Sequence, residues 1–396
     1  MLHRILAALA ALCLFGTHLP VRAEAPEAPD AFFDRLFEGY RTQGAAVHIV
    51  WGGRILYSRY YGSLDRAGRF PVKADSLFRV ASVTKMVSAL GVMKLVEEGR
   101  LALDDDVGNV LGFPLRNPRY PDVPITVRQL LCHTTSLKAT GSYTRATKPL
   151  SEQFNPSLFS GHAPGTHYEY SNLNGGILGA LIEKVSGRSL NDYMTEAVFA
   201  PLGVEATYNL KLLDGIDESR VSPEYNTDLT IAQSVNSILK SVENRGNSVD
   251  PLNHFNLTIG SLWIDPAGLA KIMAMLQAGG VYQGVRVLEE ATVAQMMADP
   301  SLAPGSSVTL SGGSYGLGMQ RQSFGALGTW WGHQGRVRGQ VCNAYCQKET
   351  GLCLVMCVNG QRVKLTDNVS RCALRAVEQV EAWYQDGTLS LMVGVK

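Results

Sequence analysis

Excess charge is the first thing this 396-residue sequence lacks: 36 lysines and arginines stand against 35 aspartates and glutamates. Such a balance gives no electrostatic reason to expect nucleic acid or anionic lipid as a partner. Internal repeats and low-complexity tracts are missing, which argues against repeat arrays and long disordered linkers. Beyond the N-terminus no apolar run is long enough to cross a bilayer, so no transmembrane segment is expected in the mature chain. Metal-ligand spacings such as H-x-x-x-H are also missing, and no metal or other cofactor is expected.

What is present begins with a leader. Arg4, the apolar stretch ILAALAALCLFG and then VRAEA read as a secretory signal over residues 1–23, cleaved after Ala23 or Ala25. Bulky Leu12 before Cys13 argues against a lipid-anchored start. Cleavage removes Arg4 and Arg22, leaving 34 basic residues against the same 35 acidic ones. A periplasmic or secreted protein is the expectation. Six of the seven cysteines remain: Cys132, Cys342, Cys346, Cys353, Cys357 and Cys372. An even number in an oxidising compartment favours disulfides. The stretch CNAYCQKETGLCLVMC reads as two short strands around Lys348-Glu349-Thr350-Gly351, which sets Cys346 opposite Cys353 and Cys342 opposite Cys357. At least one cross-strand disulfide is expected there; the alternative is that these are small buried apolar residues. A four-cysteine zinc site fits poorly, because cysteines four apart on a strand are separated by about 13 Å.

DAFFDRLFEGYRTQG has helical periodicity, AAVHIVW and RILYSRYYG flank a Gly52-Gly53 turn, and a helix is expected from near Ser82 to about Glu98. Strand signals return late, in SYGLGMQ, GTWWGHQG and the cysteine hairpin, and TDNVSRCALRAVEQVEAWYQ closes as a helix. The middle alternates helical patches with polar loops. This predicts an α/β (α+β) unit from residues 24–105 and 256–396, a mainly helical insertion over 106–255, and an active site between them.

The stretch VASVTKMVSAL carries the chemistry. Val83, Met86, Val87 and Leu90 recur at helical spacing, yet Lys85 sits in the first turn. There the positive end of the helix and the apolar neighbours both disfavour an ammonium. Ser82 lies one turn earlier on the same face. A lysine that releases its proton can take the serine's, leaving an activated nucleophile, and the serine N–H at a helix start is free to meet an oxyanion. A second S-x-x-K, Ser237 to Lys240 in VNSILKSV, has polar neighbours and reads as a surface-helix coincidence. The first has companions: Tyr170-Ser171-Asn172 is the only Y-x-N in the chain, and His333-Gln334-Gly335 the only H-x-G.

In order and type, these motifs resemble the serine β-lactamases and penicillin-binding DD-peptidases, particularly the class C β-lactamase and D-Ala-D-Ala carboxypeptidase branch. SLFRVASVTK, LLCHTTSL, PGTHYEYSN, YGLGM and GHQG with a hairpin ending VNG extend the likeness over nearly all of the mature chain. The resemblance implies an antiparallel sheet flanked by helices, β-lactamase/transpeptidase-like. It implies that Ser82 is acylated, that Lys85 is its proton partner, and that Tyr170 delivers a proton to the leaving group. Asn172 would bond Lys85 or the substrate amide, His333 would line the far wall with Gln334 and Gly335, and the Arg336 N–H would complete the oxyanion hole.

The third motif departs from the family. Class C β-lactamases usually carry lysine where this chain has His333, and threonine or serine where it has Gln334. A neutral imidazole pulls less on a substrate carboxylate. Arg336 and Arg338 could compensate with charge-assisted bonds, or be solvated strand charges. His133, His162 and His167 read as hydrogen-bonded structural residues; zinc at His333 is an alternative only if a second histidine approaches. The expected function is an exported hydrolase of a β-lactam or peptidoglycan stem peptide of D-Ala-D-Ala type. The alternatives are an esterase on the same scaffold and a catalytically silent penicillin or muropeptide sensor.

Overall fold

The structure, a computed structural model, describes residues 27–139, 150–242, 257–298, 314–363, 365–366 and 369–393. The expected leader, with Cys13, Ala23 and Ala25, lies outside these residues.

GAAVHIVW is apolar on both sides of the strand pleat, so it needs cover on both faces, and it forms β1 (Gly44–Trp51), buried almost end to end. Gly52 and Gly53 turn the chain at φ 57° and 73°, where glycine is the unstrained residue. β2 (Arg54–Gly62) returns as an edge strand with half-exposed residues. The remaining strands come from the C-terminal part: β3 (Ser314–Tyr315), β4 (Gln320–Ser323), β5 (Thr329–Val337), β6 (Gln340–Gln347) and β7 (Leu352–Val358). They join β1 and β2 in one antiparallel sheet, ordered β3-β4-β5-β6-β7-β1-β2.

Five helices matter for the site: α1 (Pro29–Gly39), α2 (Val83–Glu97), α3 (Asn172–Ser186), α4 (Pro266–Gln277) and α5 (Arg371–Gln385). Phe33 and Phe37 of α1 and Trp383 of α5 cover one face of the sheet, against Leu354 and Met356. α4 covers the other face, with α2 and α3 behind it in the larger core. α2 is buried on nearly every side, as its run of apolar residues requires. Between α3 and α4 the middle is less purely helical than its periodicity suggests. Ala206–Thr207 and Phe78–Arg79 pair with the two sides of Trp263–Ile264, in strands too short to show an alternation.

The cysteine hairpin has the expected register, Cys342 opposite Cys357 and Cys346 opposite Cys353. The expected bond is not there. None of the six described cysteines is in a disulfide and all are buried, with Cys342 Sγ 3.2 Å from Cys357 Sγ, beyond the roughly 2.05 Å of a disulfide. Burial pushes the Cys342 and Cys353 thiols well up, which keeps them protonated and slow to react.

Candidate active site

Ser82 occupies the start of α2, behind Ala81, whose φ of 46° places an ordinary residue in the left-handed region. Lys85 follows within the first turn, only 2% exposed. Its Nζ donates to Ser82 Oγ at 3.1 Å and to the Ile259 carbonyl at 2.7 Å. These two oxygens compensate for the desolvation that a buried ammonium suffers. Gly175 of α3 gives the lysine its room, since a Cβ there would lie 2.7 Å from Lys85 Cε.

A second glycine brings the sheet to the serine. A Cβ on Gly335 would fall 2.0 Å from the Val80 carbonyl and 3.0 Å from the Ser82 nitrogen. Only glycine lets β5 approach this closely. β4 pairs with β5 over Thr329–Gly332, whereas His333–Val337 pair with β6 alone. Among the described residues, no strand occupies the other edge of that segment. Gln334 and Arg336 alternate outward from it, half-buried and exposed respectively.

Tyr170 precedes α3 and is half-buried. Its ring stacks on His133 with centroids 4.5 Å apart, and Lys85 Nζ lies 5.3 Å from its centroid. His133 accepts from the Ser171 N–H at Nδ1, 3.1 Å, with Asn174 Nδ2 at the same distance. Burial first, then the nearby Lys85 and His333, hold its imidazole well below the usual range. Asn172 is the first residue of α3 and is half-buried; it is not among Lys85's hydrogen-bond partners. His133 thus has the structural role expected of it, and it backs the Tyr170 ring.

His333 is inside the site and fully engaged. Tyr315 donates its hydroxyl to Nε2 at 2.6 Å, and Nδ1 meets the Gln334 carbonyl at 2.5 Å. Burial, reinforced by Lys85, pushes its pKa down to about 3. The ring is therefore neutral, and neither nitrogen is presented to a metal. His162 and His167 stack on each other, centroids 4.1 Å apart. Among the described residues, no three His, Cys, Asp or Glu side chains gather as a metal site.

Arg338, expected at the substrate, is engaged by a buried carboxylate. It sits in the β5–β6 turn and pairs with Glu224, a buried carboxylate that Arg79 also binds at 2.6 Å. Two guanidiniums make that burial tolerable. The resulting bridge ties the residue before α2's entry turn to the hairpin after His333. Arg336 has no ion-pair partner among the described residues. Ser237 and Lys240 are both exposed, away from the core that encloses Lys85.

Four contributors had little or no signal in the sequence. The Ile259 carbonyl acts through backbone, which no side-chain motif marks. Glu224 is a lone carboxylate until the fold brings two arginines to it. Tyr315 lies in the YGLGM stretch, and Asn174 two residues beyond Asn172, so each sits beside a recognised motif without a role of its own.

A family model described as Beta-lactamase matches residues 30–371. Among curated relatives, Esterase EstB of Burkholderia gladioli is 35% identical over 205 residues, covering 44% of this chain and 49% of that protein. The chain spans half the length or less of the curated relatives it matches. Among solved structures, the octameric penicillin-binding protein homologue from Pyrococcus abyssi superposes with a TM-score of 0.69 at 20% identity, over 89% of this chain and 76% of the other. A class C beta-lactamase mutant gives a TM-score of 0.69 at 16% identity, over 89% and 96%. At such identities the structures share a fold.

Proposed function

Because the chain belongs to the beta-lactamase family, within the serine β-lactamase and penicillin-binding superfamily, we propose that it is an exported serine hydrolase that carries an acyl group on Ser82. One observation bears most of the weight: Lys85 is a buried amine 3.1 Å from Ser82 Oγ, with no ion-pair partner among the described residues. In its neutral form it takes the serine proton as Oγ attacks the carbonyl carbon. The N–H groups of Ser82 and Arg336 meet the oxyanion. Lys85 passes that proton by way of Tyr170 to the leaving nitrogen, and water, giving up a proton by the same route, then releases the acyl group.

The substrate is a β-lactam or a D-Ala-D-Ala-type amide. It adds to the unpaired edge of His333–Val337 as an extra strand, with its carboxylate toward Arg336. A second reading, an esterase, has its own support. His333 brings no positive charge to a substrate carboxylate, and a curated relative is named an esterase.

Intact-mass measurement with a penicillin, a carbapenem and a short-chain ester, followed over time, tests both. An adduct is expected on the native protein and on Ser237→Ala, and none on Ser82→Ala. A lasting β-lactam adduct indicates a peptidase-like trap, and rapid return a β-lactamase. Turnover of the ester alone selects the second reading. Labelling that survives Ser82→Ala would sink the mechanism. N-terminal sequencing of protein recovered outside the cytoplasm tests export, with a start at residue 24 or 26 expected.

A further inference from the structure

On the face of the sheet away from Ser82, α1 and α5 leave an open cavity of about 640 Å³. Arg35, Arg41, Arg362, Arg371 and Arg375 line it, together with Tyr40. Five guanidiniums around one cavity repel one another, in a chain whose overall charge is balanced. Arg35 pairs with Glu27, and Arg375 with Glu378 at 3.1 Å. Arg41 and Arg362 have no carboxylate partner among the described residues.

One of the five, Arg41, stands where an arginine is intrinsically disfavoured. It closes the end of α1 at φ 53°, its N–H bonded to the Glu38 carbonyl at 2.9 Å, a left-handed position that glycine suits. An anion in the cavity would give that placement a use. Burial raises the Tyr40 hydroxyl's pKa, so it keeps its proton and is a donor.

We propose that this cavity binds a small polyanion, a molecule carrying two or more phosphate or carboxylate groups, at a site separate from Ser82. Arginine forks take such groups bidentately. Several forks around one concave site suit several anionic groups on one ligand better than a single ion.

Titration calorimetry of the mature protein at physiological salt, with tripolyphosphate, citrate and orthophosphate as probes, tests the site. Saturable one-to-one binding of tripolyphosphate or citrate is expected, and the tighter of the two tells phosphate from carboxylate. Orthophosphate should bind at least about tenfold more weakly, having lost charge-assisted bonds. Arg41→Gly removes one guanidinium while giving the turn the residue that fits it, so it should fold as well as the native chain. It should weaken binding by at least about tenfold. Ser82→Ala should bind as the native protein does, which separates this site from the hydrolase reading. Absence of saturable binding by both polyanions overturns the proposal, as does unchanged affinity in both Arg41→Gly and Arg362→Gln. Orthophosphate binding as tightly as the polyanions overturns it too.

Discussion

Lys85 is buried in the first turn of α2, where its Nζ meets two oxygens, Ser82 Oγ and the Ile259 carbonyl. A group held this way is either a base in waiting or a fixed anchor. Lys85→Arg tells them apart, because guanidinium keeps the charge but cannot be deprotonated. Acylation by a penicillin should slow by orders of magnitude in this variant, read by stopped-flow across pH. Near-native acylation would show that Lys85 is the anchor and pass the base role to Tyr170. His333 poses the converse case, a titratable ring made neutral. With Nε2 bonded to Tyr315 and the ring buried, its pKa lies at about 3. Tyr315→Phe leaves that nitrogen without its donor, a loss of about 1–3 kcal/mol. Chemical denaturation should show the midpoint falling with an unchanged slope; an unaltered midpoint would mean that the hydrogen bond contributes nothing.

At the scale of elements, the site is a meeting of α2, α3 and β5, and glycines set how closely they meet. Gly335→Ala would drive a Cβ into the Val80 carbonyl, with which it cannot coexist at 2.0 Å. β5 must then retreat from Ser82, opening the oxyanion hole. The expected result is loss of acylation by at least about a hundredfold, in protein that still unfolds cooperatively. Full activity in that variant would show that the strand tolerates the shift. This level was partly legible in the sequence. The S-x-x-K, Y-x-N and H-x-G motifs mark residues that their elements bring to one place, because each motif lies at the start or edge of a periodic element. The cysteine hairpin's register was legible from its symmetric spacing about Lys348–Gly351, but the state of its thiols was not. Spacing fixes which cysteines face each other, while bonding depends on a separation of an ångström or so. The partner of Arg338 was hidden for a similar reason. Nothing near it in sequence hints that Glu224, 114 residues away, will take its guanidinium.

For the whole molecule, the fold buries three of the five described histidines, His48, His133 and His333, at 0%, 4% and 2% exposure. Burial lowers all three, His48 to about 4, His333 to about 3 and His133 well below its usual value. In the unfolded chain each titrates near 6.5. Between about pH 6.5 and pH 4 the unfolded state therefore binds protons that the folded state refuses, so stability rises with pH across this window. The contribution is complete above pH 6.5 and is lost as the pH falls toward 4. Each histidine fully charged only when unfolded costs about 1.4 kcal/mol per pH unit. Asp65, Asp104 and Asp106, which their arginine partners help to hold below the usual carboxylate range, release their share only at lower pH. Asp265, which burial raises, works in the opposite sense. The melting temperature should fall steadily from pH 7 to pH 4.5, before the bulk of the carboxylates titrate. His48 offers the cleanest control: it lies outside the catalytic cluster, its Nδ1 meets Ser58 Oγ at 2.8 Å, and its Nε2 has no partner among the described residues. His48→Gln should flatten the slope by about a third while leaving acylation of Ser82 unchanged. A melting temperature flat from pH 7 to pH 4.5 would mean that these rings are protonated in the folded protein, and the neutral His333 on which the esterase reading leans would go with it.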